Sequence, residues 1–263
     1  MPRSTTAPRW LVRRRERPET AANLYVFAHA GGSAGEYLRM WADDLPGLTV
    51  WGVQLPGRSA RLAEPAYRDL RALVDDLVEQ APFTGPCAFF GHSFGALLAY
   101  ETARALHRAG RAPGRLVLSS CPPPHVIGTG RRDAPMAELP DDELIAAVEE
   151  RWGPLSDQVH DDPRLRRLVL GPLRADIGVL ESYTPTPGQP LPVPTTLVCG
   201  TDEEGLGLDG WSRHLDRVTD RIALPGGHFH FRADPAPLLD VVRDATGSLT
   251  PTEQTGAPAR WTT

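Results

Sequence analysis

Short apolar runs alternate along the chain with segments in which apolar residues recur every three or four positions. The short runs predict strands at 23–28, 48–53, 86–91, 115–119, 195–199 and 221–224. The longer periodic segments predict helices at 69–81, 94–109 and about 236–245. Strands that alternate with helices in this way indicate an α/β fold with a mostly parallel central sheet covered on both faces.

One stretch, from Pro122 to Pro194, breaks this alternation because it contains two helical patterns, at 140–152 and 163–183, and no predicted strand. Insertions of this kind grow from loops at the carboxyl ends of strands, where ligands bind, so we interpret the stretch as a helical lid. The predicted division of the chain is a loosely ordered arm at 1–20, an α/β core at 21–121 and 195–247, a lid insertion at 122–194 and a flexible tail at 248–263.

Composition excludes several classes of protein. Apolar residues make up 41% of the 263 positions, which argues against disorder throughout, and a net charge of −5 argues against nucleic-acid binding as the main task. No apolar run approaches the roughly 18–20 residues of a membrane span, and residues 1–8 lack the apolar segment of a secretory signal. The three widely spaced cysteines, Cys87, Cys121 and Cys199, are typical of reduced thiols in a cytoplasmic protein.

The strongest chemical pattern is G-x-S-x-G at residues 91–95, with Ser93 at its centre. It lies between a predicted strand and a predicted helix, which is the context of a nucleophile elbow. The glycines permit the sharp turn, and the helix N-terminus favours negative charge that develops near the serine. We therefore expect Ser93 to be a nucleophile.

A serine nucleophile needs a general base. His228 is the preferred candidate because it follows the last predicted strand on a glycine-containing loop, Pro225-Gly226-Gly227. His230 is an alternative base, and a metal site built from His228 and His230 is a weaker alternative, so no metal and no cofactor are predicted. The remaining histidines are assigned elsewhere: His92 is expected to point away from Ser93, and surface positions are expected for His107, His125, His160 and His214.

The base needs a carboxylate that orients it. Asp202 and Glu203 both follow the predicted strand at 195–199 and so emerge at the same sheet edge as Ser93 and His228. Asp202 is preferred because a short carboxylate is the commoner partner, and Glu203 remains the alternative. The order Ser93, Asp202, His228 is that of the α/β-hydrolase fold.

An oxyanion hole requires two backbone N–H donors. One is expected at Phe94, the residue after the nucleophile, and the other at Ala30 in the His29-Ala30-Gly31-Gly32 loop, which is similar to the H-G-G-G motif of lipases. His29 is then expected to organise this loop. The glycine-rich stretch at 31–35 lacks the spacings of nucleotide-binding loops.

With these residues assigned, the chain resembles the type II thioesterases that accompany polyketide synthases and nonribosomal peptide synthetases. The segments that carry the resemblance are FAHAGGSAGEY (27–37), VWGVQLPGRSARLAEP (50–65), GHSFGALLAYETARAL (91–106), ADIGVLESY (175–183) and GGHFHF (226–231). Phe94 stands where this family usually has Met. The family's acid tends to lie three residues beyond the strand-end glycine, which here is Glu203.

The resemblance implies a cytoplasmic enzyme that hydrolyses aberrant acyl groups from the phosphopantetheine arm of acyl or peptidyl carrier domains, without a nucleic-acid or membrane partner. The residues themselves indicate only an acyl hydrolase or acyltransferase with a lid. A general carboxylester hydrolase, an acyltransferase and a non-catalytic binder with a relic site remain alternatives. Arg58, Arg61 and Arg131 are candidate contacts for an acidic carrier, although solvated surface charge is the simpler interpretation.

Overall fold

A central sheet of seven strands organises the part of the chain that the computed structural model describes, which is residues 10–15, 22–127, 135–203 and 205–249. The strands are β1 Leu11–Val12, β2 Ala22–Phe27, β3 Leu48–Val53, β4 Cys87–His92, β5 Arg115–Ser119, β6 Thr195–Gly200 and β7 Val218–Leu224. The helices are α1 Ala34–Trp41, α2 Leu70–Gln80, α3 Phe94–Arg108, α4 Asp141–Trp152, α5 Asp157–Asp161, α6 Pro163–Ser182 and α7 Ala236–Thr246.

The strand order in the sheet is β1-β3-β2-β4-β5-β6-β7. All neighbouring pairs are parallel except β1 with β3. The six predicted strands all occur, with ends that move by at most three residues, and the predicted mostly parallel α/β sheet is confirmed. Because parallel strands run in one direction, the loops that leave β2, β4, β5, β6 and β7 all lie at one edge of the sheet.

Both faces of the sheet are covered, because alternate residues of each buried strand point to opposite sides. Tyr25 and Phe27 of β2 pack on the face that carries α2 and α3, whereas Leu24 and Val26 pack on the face that carries α1 and α7. The central strands are apolar on both faces for this reason, which explains the continuous apolar runs in the sequence.

The insertion, residues 122–194, contributes α4, α5 and α6 between β5 and β6. The two helices predicted there are present as α4 and α6, and α5 was not predicted. Helices α4 and α6 share a small apolar core with Met136, which precedes α4. Its buried members are Met136, Leu144, Ile145, Val148, Leu170, Leu173 and Ile177. The insertion is therefore a packed unit on the sheet edge where the predicted site residues lie.

Two elements near the N-terminus differ from the sequence predictions. Helix α1 was not predicted; the hydroxyl of Ser33 caps it by accepting the Glu36 N–H, and its apolar face is buried. Of the predicted loose arm at 1–20, only residues 10–15 are described, and this part is docked on the body, because Leu11–Val12 pair with β3 and Trp10 is buried. The rest of that arm and residues 250–263 of the predicted tail lie outside the described residues.

No described helix is both long enough and apolar enough to cross a membrane. The three cysteines are unpaired, and Cys87 and Cys121 are buried. Burial raises the pKa of the Cys87 thiol to about 11 and that of Cys121 to about 12, so both thiols stay protonated at neutral pH.

Candidate active site

Five loops bring the chemically important side chains to the carboxyl edge of the sheet. Ala30 follows β2, Ser93 follows β4 and Ser120 follows β5, while Glu203 follows β6 and His228 follows β7. Neighbouring parallel strands end side by side, so residues that are up to about 200 positions apart in the chain share one small region.

Ser93 occupies a strained turn between β4 and α3, with φ 56° and ψ −121°. The glycines on either side of it are required by close backbone contacts. A Cβ atom at Gly91 would lie 2.2 Å from the Gly95 carbonyl oxygen, and a Cβ at Gly95 would lie 2.1 Å from that of Phe27. The Ser93 N–H donates to the Ser119 carbonyl at 2.8 Å, which ties the turn to β5. The strained serine is therefore held at the start of α3 by its surroundings.

The carboxylate that contacts His228 is Glu203. Its Oε1 lies 2.7 Å from His228 Nδ1, and its Oε2 accepts hydrogen bonds from the Gly200 N–H at 2.9 Å and the Ser120 hydroxyl at 2.5 Å. The preferred candidate, Asp202, is exposed and accepts instead from the Thr201 hydroxyl at 3.1 Å. The prediction that Asp202 is the partner of His228 is corrected in favour of Glu203, because the Glu203 side chain points to the loop after β7 whereas that of Asp202 is exposed.

The environment of Glu203 keeps its carboxyl group ionised. Burial raises the pKa of this carboxyl, but the hydrogen bonds from His228, Ser120 and Gly200 outweigh burial and leave the pKa below its ordinary value. An ionised carboxylate beside His228 Nδ1 favours the tautomer that carries its proton on Nδ1 and leaves Nε2 free of a proton.

Sequence reasoning did not identify Ser120 as a site residue. Its side chain is buried and donates to Glu203, and its φ of 49° is unusual for a residue other than glycine. Strain of this kind persists only where the surroundings demand it. The sequence feature that could have identified Ser120 is its position directly after β5, at the same sheet edge as the other candidate residues.

Three further histidines lie buried beneath the site. His29 Nδ1 is 2.9 Å from the Tyr37 hydroxyl, and the Ser119 hydroxyl lies 3.0 Å from His92 Nδ1 and 3.1 Å from His230 Nε2. Burial lowers the pKa of all three, that of His29 to about 3, with smaller contributions from nearby positive charges for His29 and His92. These imidazoles are neutral at pH 7, and His230 faces Ser119.

The described residues contain no group of three or more His, Cys, Asp or Glu side chains placed to hold a metal ion. Two of the predicted surface histidines, His125 and His214, are partly buried and lie 2.8 Å apart, Nδ1 to Nε2. They stack on each other, and neither lines a cavity that contains Ser93.

The loop after β2, residues 29–32, forms a tight turn that we call the β2 turn. The Gly32 N–H donates to the His29 carbonyl at 2.9 Å, and Gly31 has φ +74°, which the third position of a type II turn requires. The Gly31 N–H donates to Asp176, and no acceptor among the described residues takes the N–H of Ala30. Phe94 is the first residue of α3, where the helix offers its backbone N–H no partner.

Two cavities meet at Ser93 and His228. The larger, of about 1090 Å³, is lined by the loops after β5 and β6 and by the insertion. The smaller, of about 250 Å³, is lined by the β2 turn and by a different part of the insertion. Trp152 and Leu180 of the insertion line both cavities. A substrate that reaches Ser93 can therefore extend in two directions from it.

Known proteins that are similar to this chain include several thioesterases. The family model described as "Thioesterase domain" matches residues 22–245. A Streptomyces griseus protein named as a probable cadicidin biosynthesis thioesterase is 36% identical over 234 residues, which is 85% of this chain and 62% of that protein, so this chain spans less than two thirds of it. A Brevibacillus parabrevis protein named linear gramicidin dehydrogenase LgrE is 31% identical over 91% of this chain and 93% of its own length.

Among solved structures, the type II thioesterase BorB from the borrelidin biosynthetic cluster is 31% identical to this chain. It superimposes with a TM-score of 0.78 over 92% of this chain and 99% of its own.

Proposed function

Since this chain belongs to the thioesterase family, we propose that it hydrolyses acyl thioesters on the phosphopantetheine arm of carrier proteins that serve polyketide or nonribosomal peptide assembly. The proposed catalytic residues are Ser93, Glu203 and His228, with the N–H groups of Ala30 and Phe94 as oxyanion donors. The observation that carries the proposal is the 2.7 Å hydrogen bond from His228 to Glu203 at the sheet edge where the Ser93 turn lies.

In the first half of the proposed reaction, the Ser93 oxygen attacks the thioester carbonyl carbon while His228 Nε2 takes the serine proton. The carbonyl oxygen becomes negatively charged and meets the two N–H donors. Collapse of this intermediate breaks the C–S bond, and the thiol of the carrier arm leaves. A thiolate leaves more readily than an alkoxide because a thiol is the stronger acid, so this step depends less on protonation of the leaving group.

In the second half, water attacks the acyl-serine ester while His228 accepts its proton. The products are a carboxylic acid, the free thiol on the carrier and regenerated Ser93. The two cavities suit a thioester, because the acyl chain and the pantetheine arm extend in opposite directions from the carbonyl. The names of the cadicidin relative and of BorB support an assembly-line substrate.

The test uses a panel of carrier domains loaded with different acyl groups and the corresponding small esters. We expect the wild-type protein to release acids from the loaded carriers, and Ser93→Ala to lower turnover by at least about 10⁴-fold without loss of fold, because the covalent step is removed. Ser212→Ala, which changes an exposed serine outside both cavities, is the matched control and should retain wild-type turnover.

The alternatives give different results in the same assays. Equal turnover of small esters and indifference to the loaded carrier would favour a carboxylester hydrolase. Acyl transfer to an added alcohol or amine would favour an acyltransferase. Failure of a serine-directed fluorophosphonate to label Ser93 would leave a non-catalytic binder and end the proposal.

A further inference from the structure

Two charged side chains outside the proposed triad are buried together beside the β2 turn. Arg58 follows β3, Asp176 lies on α6, and each side chain is only 6% exposed. Both guanidinium Nη atoms contact the carboxylate at 2.7 Å, in a two-point pairing. The expectation of solvated surface charge, and of contact with a carrier, is therefore wrong for Arg58, and it is also wrong for Arg61, which is buried. Arg131 lies outside the described residues.

A buried ion pair contributes little net stability, because removing both charges from water costs about as much as the pairing returns. The position of this pair indicates a different role. Asp176 Oδ2 also accepts the Gly31 N–H at 2.8 Å, and Arg58 Nη1 also donates to the Gly32 carbonyl at 3.1 Å. The pair thus holds one backbone group of each of two consecutive residues of the β2 turn, Gly31 and Gly32.

These contacts determine how the backbone on either side of Ala30 is oriented. The Ala30 N–H shares a planar peptide group with the His29 carbonyl, which accepts from Gly32. The next peptide group contains the Gly31 N–H, which is bound to Asp176. Both peptide planes that flank Ala30 are therefore fixed, one by a contact within the turn and one by a side chain from the insertion.

The turn needs this external support because two of its four residues are glycines, which have no side chain to restrict the backbone. Helix α6 also packs directly on the turn: a Cβ atom at Gly31 would lie 3.0 Å from the Leu173 Cβ. Leu173 and Asp176 are on the same face of α6, one turn apart. The insertion thus contacts the β2 turn through both packing and charge.

We propose that Arg58 and Asp176 are positioning residues that hold the β2 turn so that the Ala30 N–H meets the oxyanion of the transition state. This makes turnover depend on helix α6 of the insertion. The inference rests on the proposed function in taking Ala30 as an oxyanion donor. Because that contact strengthens as negative charge develops, its loss lowers kcat much more than it raises KM.

The single variants Asp176→Asn and Arg58→Lys keep the approximate side-chain shape and remove the charge or the two-point pairing. We expect kcat on an acyl N-acetylcysteamine thioester to fall about 10- to 100-fold with KM within twofold. The rate of Ser93 labelling by a fluorophosphonate should fall by a similar factor, because its phosphoryl oxygen uses the same donors.

Asp141→Asn is the matched control. It breaks the ion pair between Asp141 and Arg174, which ties the same helix α6 to the start of α4 and does not touch the β2 turn. Its kcat and labelling rate should stay within twofold of wild type. An equal loss in this control would show that any weakening of the insertion has the same effect, and would overturn the proposal.

A double variant distinguishes loss of positioning from loss of fold. A single change leaves one buried charge without its partner, whereas Arg58→Met combined with Asp176→Leu leaves none. We expect this protein to melt near the wild-type temperature and still to show the losses in kcat and labelling, since Leu accepts nothing from Gly31. A folded double variant with wild-type kcat and labelling would refute the positioning role.

The labelling assay also separates this inference from the proposed function. Fluorophosphonate labelling needs Ser93, His228 and the oxyanion donors but no thioester substrate. A wild-type protein that is labelled and hydrolyses no acyl thioester would refute the proposed function, while the labelling rates of the variants would still decide the role of Arg58 and Asp176.

Discussion

The proposed acid–base half of the site and the β2 turn are held by different parts of the chain. The hydrogen bonds that hold Glu203 come from Ser120 and Gly200, at the ends of sheet strands, and from His228 itself, whose ring also lies 6.0 Å from that of Trp152 in the insertion. The β2 turn receives its external contacts from Arg58 and from Asp176 of the insertion. The hydrogen bonds of the proposed acid–base pair therefore come from the sheet loops, whereas the β2 turn, with its proposed oxyanion donor, receives hydrogen bonds from the insertion.

This difference has a consequence for how such enzymes diversify. Changes within the insertion can reshape the cavities without disturbing the hydrogen bond between Glu203 and His228. Changes on the face of α6 that contacts the β2 turn are expected to alter the chemical step as well. The insertion thus lines both cavities at Ser93 and also contacts the β2 turn.

The largest expected effect tests the acid–base half. Glu203→Gln should lower kcat by about 10³- to 10⁴-fold, because a neutral amide no longer stabilises the protonated imidazole or selects its tautomer. Asp202→Asn is the matched control one residue away, and its kcat should remain within twofold of wild type. Steady-state hydrolysis of an acyl thioester measures both. A larger loss of kcat in Asp202→Asn than in Glu203→Gln would show that Asp202 is the acid.

A smaller effect tests whether the two halves are independent. Ser120→Ala removes one hydrogen bond to an ionised carboxylate and should lower kcat about tenfold. Ser120 and Asp176 share no hydrogen-bond partner, so the fold-losses of Ser120→Ala and Asp176→Asn should multiply in the double variant. If kcat of the double variant equals that of the slower single variant, the two losses do not multiply. That result would show that the proposed acid–base residues and the β2 turn are not held independently.

A last effect, on stability and not on turnover, concerns His29, the buried histidine that begins the β2 turn. His29 faces Tyr37, Phe229 and the Glu36 carboxylate, whose Oε2 lies 3.8 Å from His29 Nε2, yet burial dominates and lowers the pKa of His29 to about 3. The unfolded chain binds a proton at this residue below about pH 6.5 and the folded protein does not. Stability from neutral His29 is therefore complete above that pH and is lost as the pH falls toward 3.

Between pH 7 and pH 5 this loss amounts to about 2 kcal/mol of unfolding free energy from His29. His29→Gln should reduce the pH dependence by that amount, as measured by urea unfolding at the two pH values. His107→Gln, on an exposed position of α3, is the matched control and should retain the wild-type dependence. An unchanged dependence in His29→Gln would show that His29 is protonated in the folded protein at pH 5.

The amino-acid sequence by itself determined the elements whose causes are local. Apolar periodicity located the main strands and the long helices, including α4 and α6 of the insertion. The glycines around Ser93 predicted the strained turn, because the backbone contacts there exclude any side chain. Helix α1 and strand β1 escaped prediction, since α1 begins within a glycine-rich stretch and β1 is two residues long.

Only the tertiary structure decided the contacts between residues that are distant in the chain. The choice of Glu203 over Asp202 depends on the direction in which a loop turns toward β7, and the role of Ser120 depends on two strands that end side by side. Arg58 and Asp176 are 118 positions apart, and no local pattern couples them. Hydrogen bonds of this kind depend on differences in side-chain direction and distance of an ångström or less, which only the packed chain specifies.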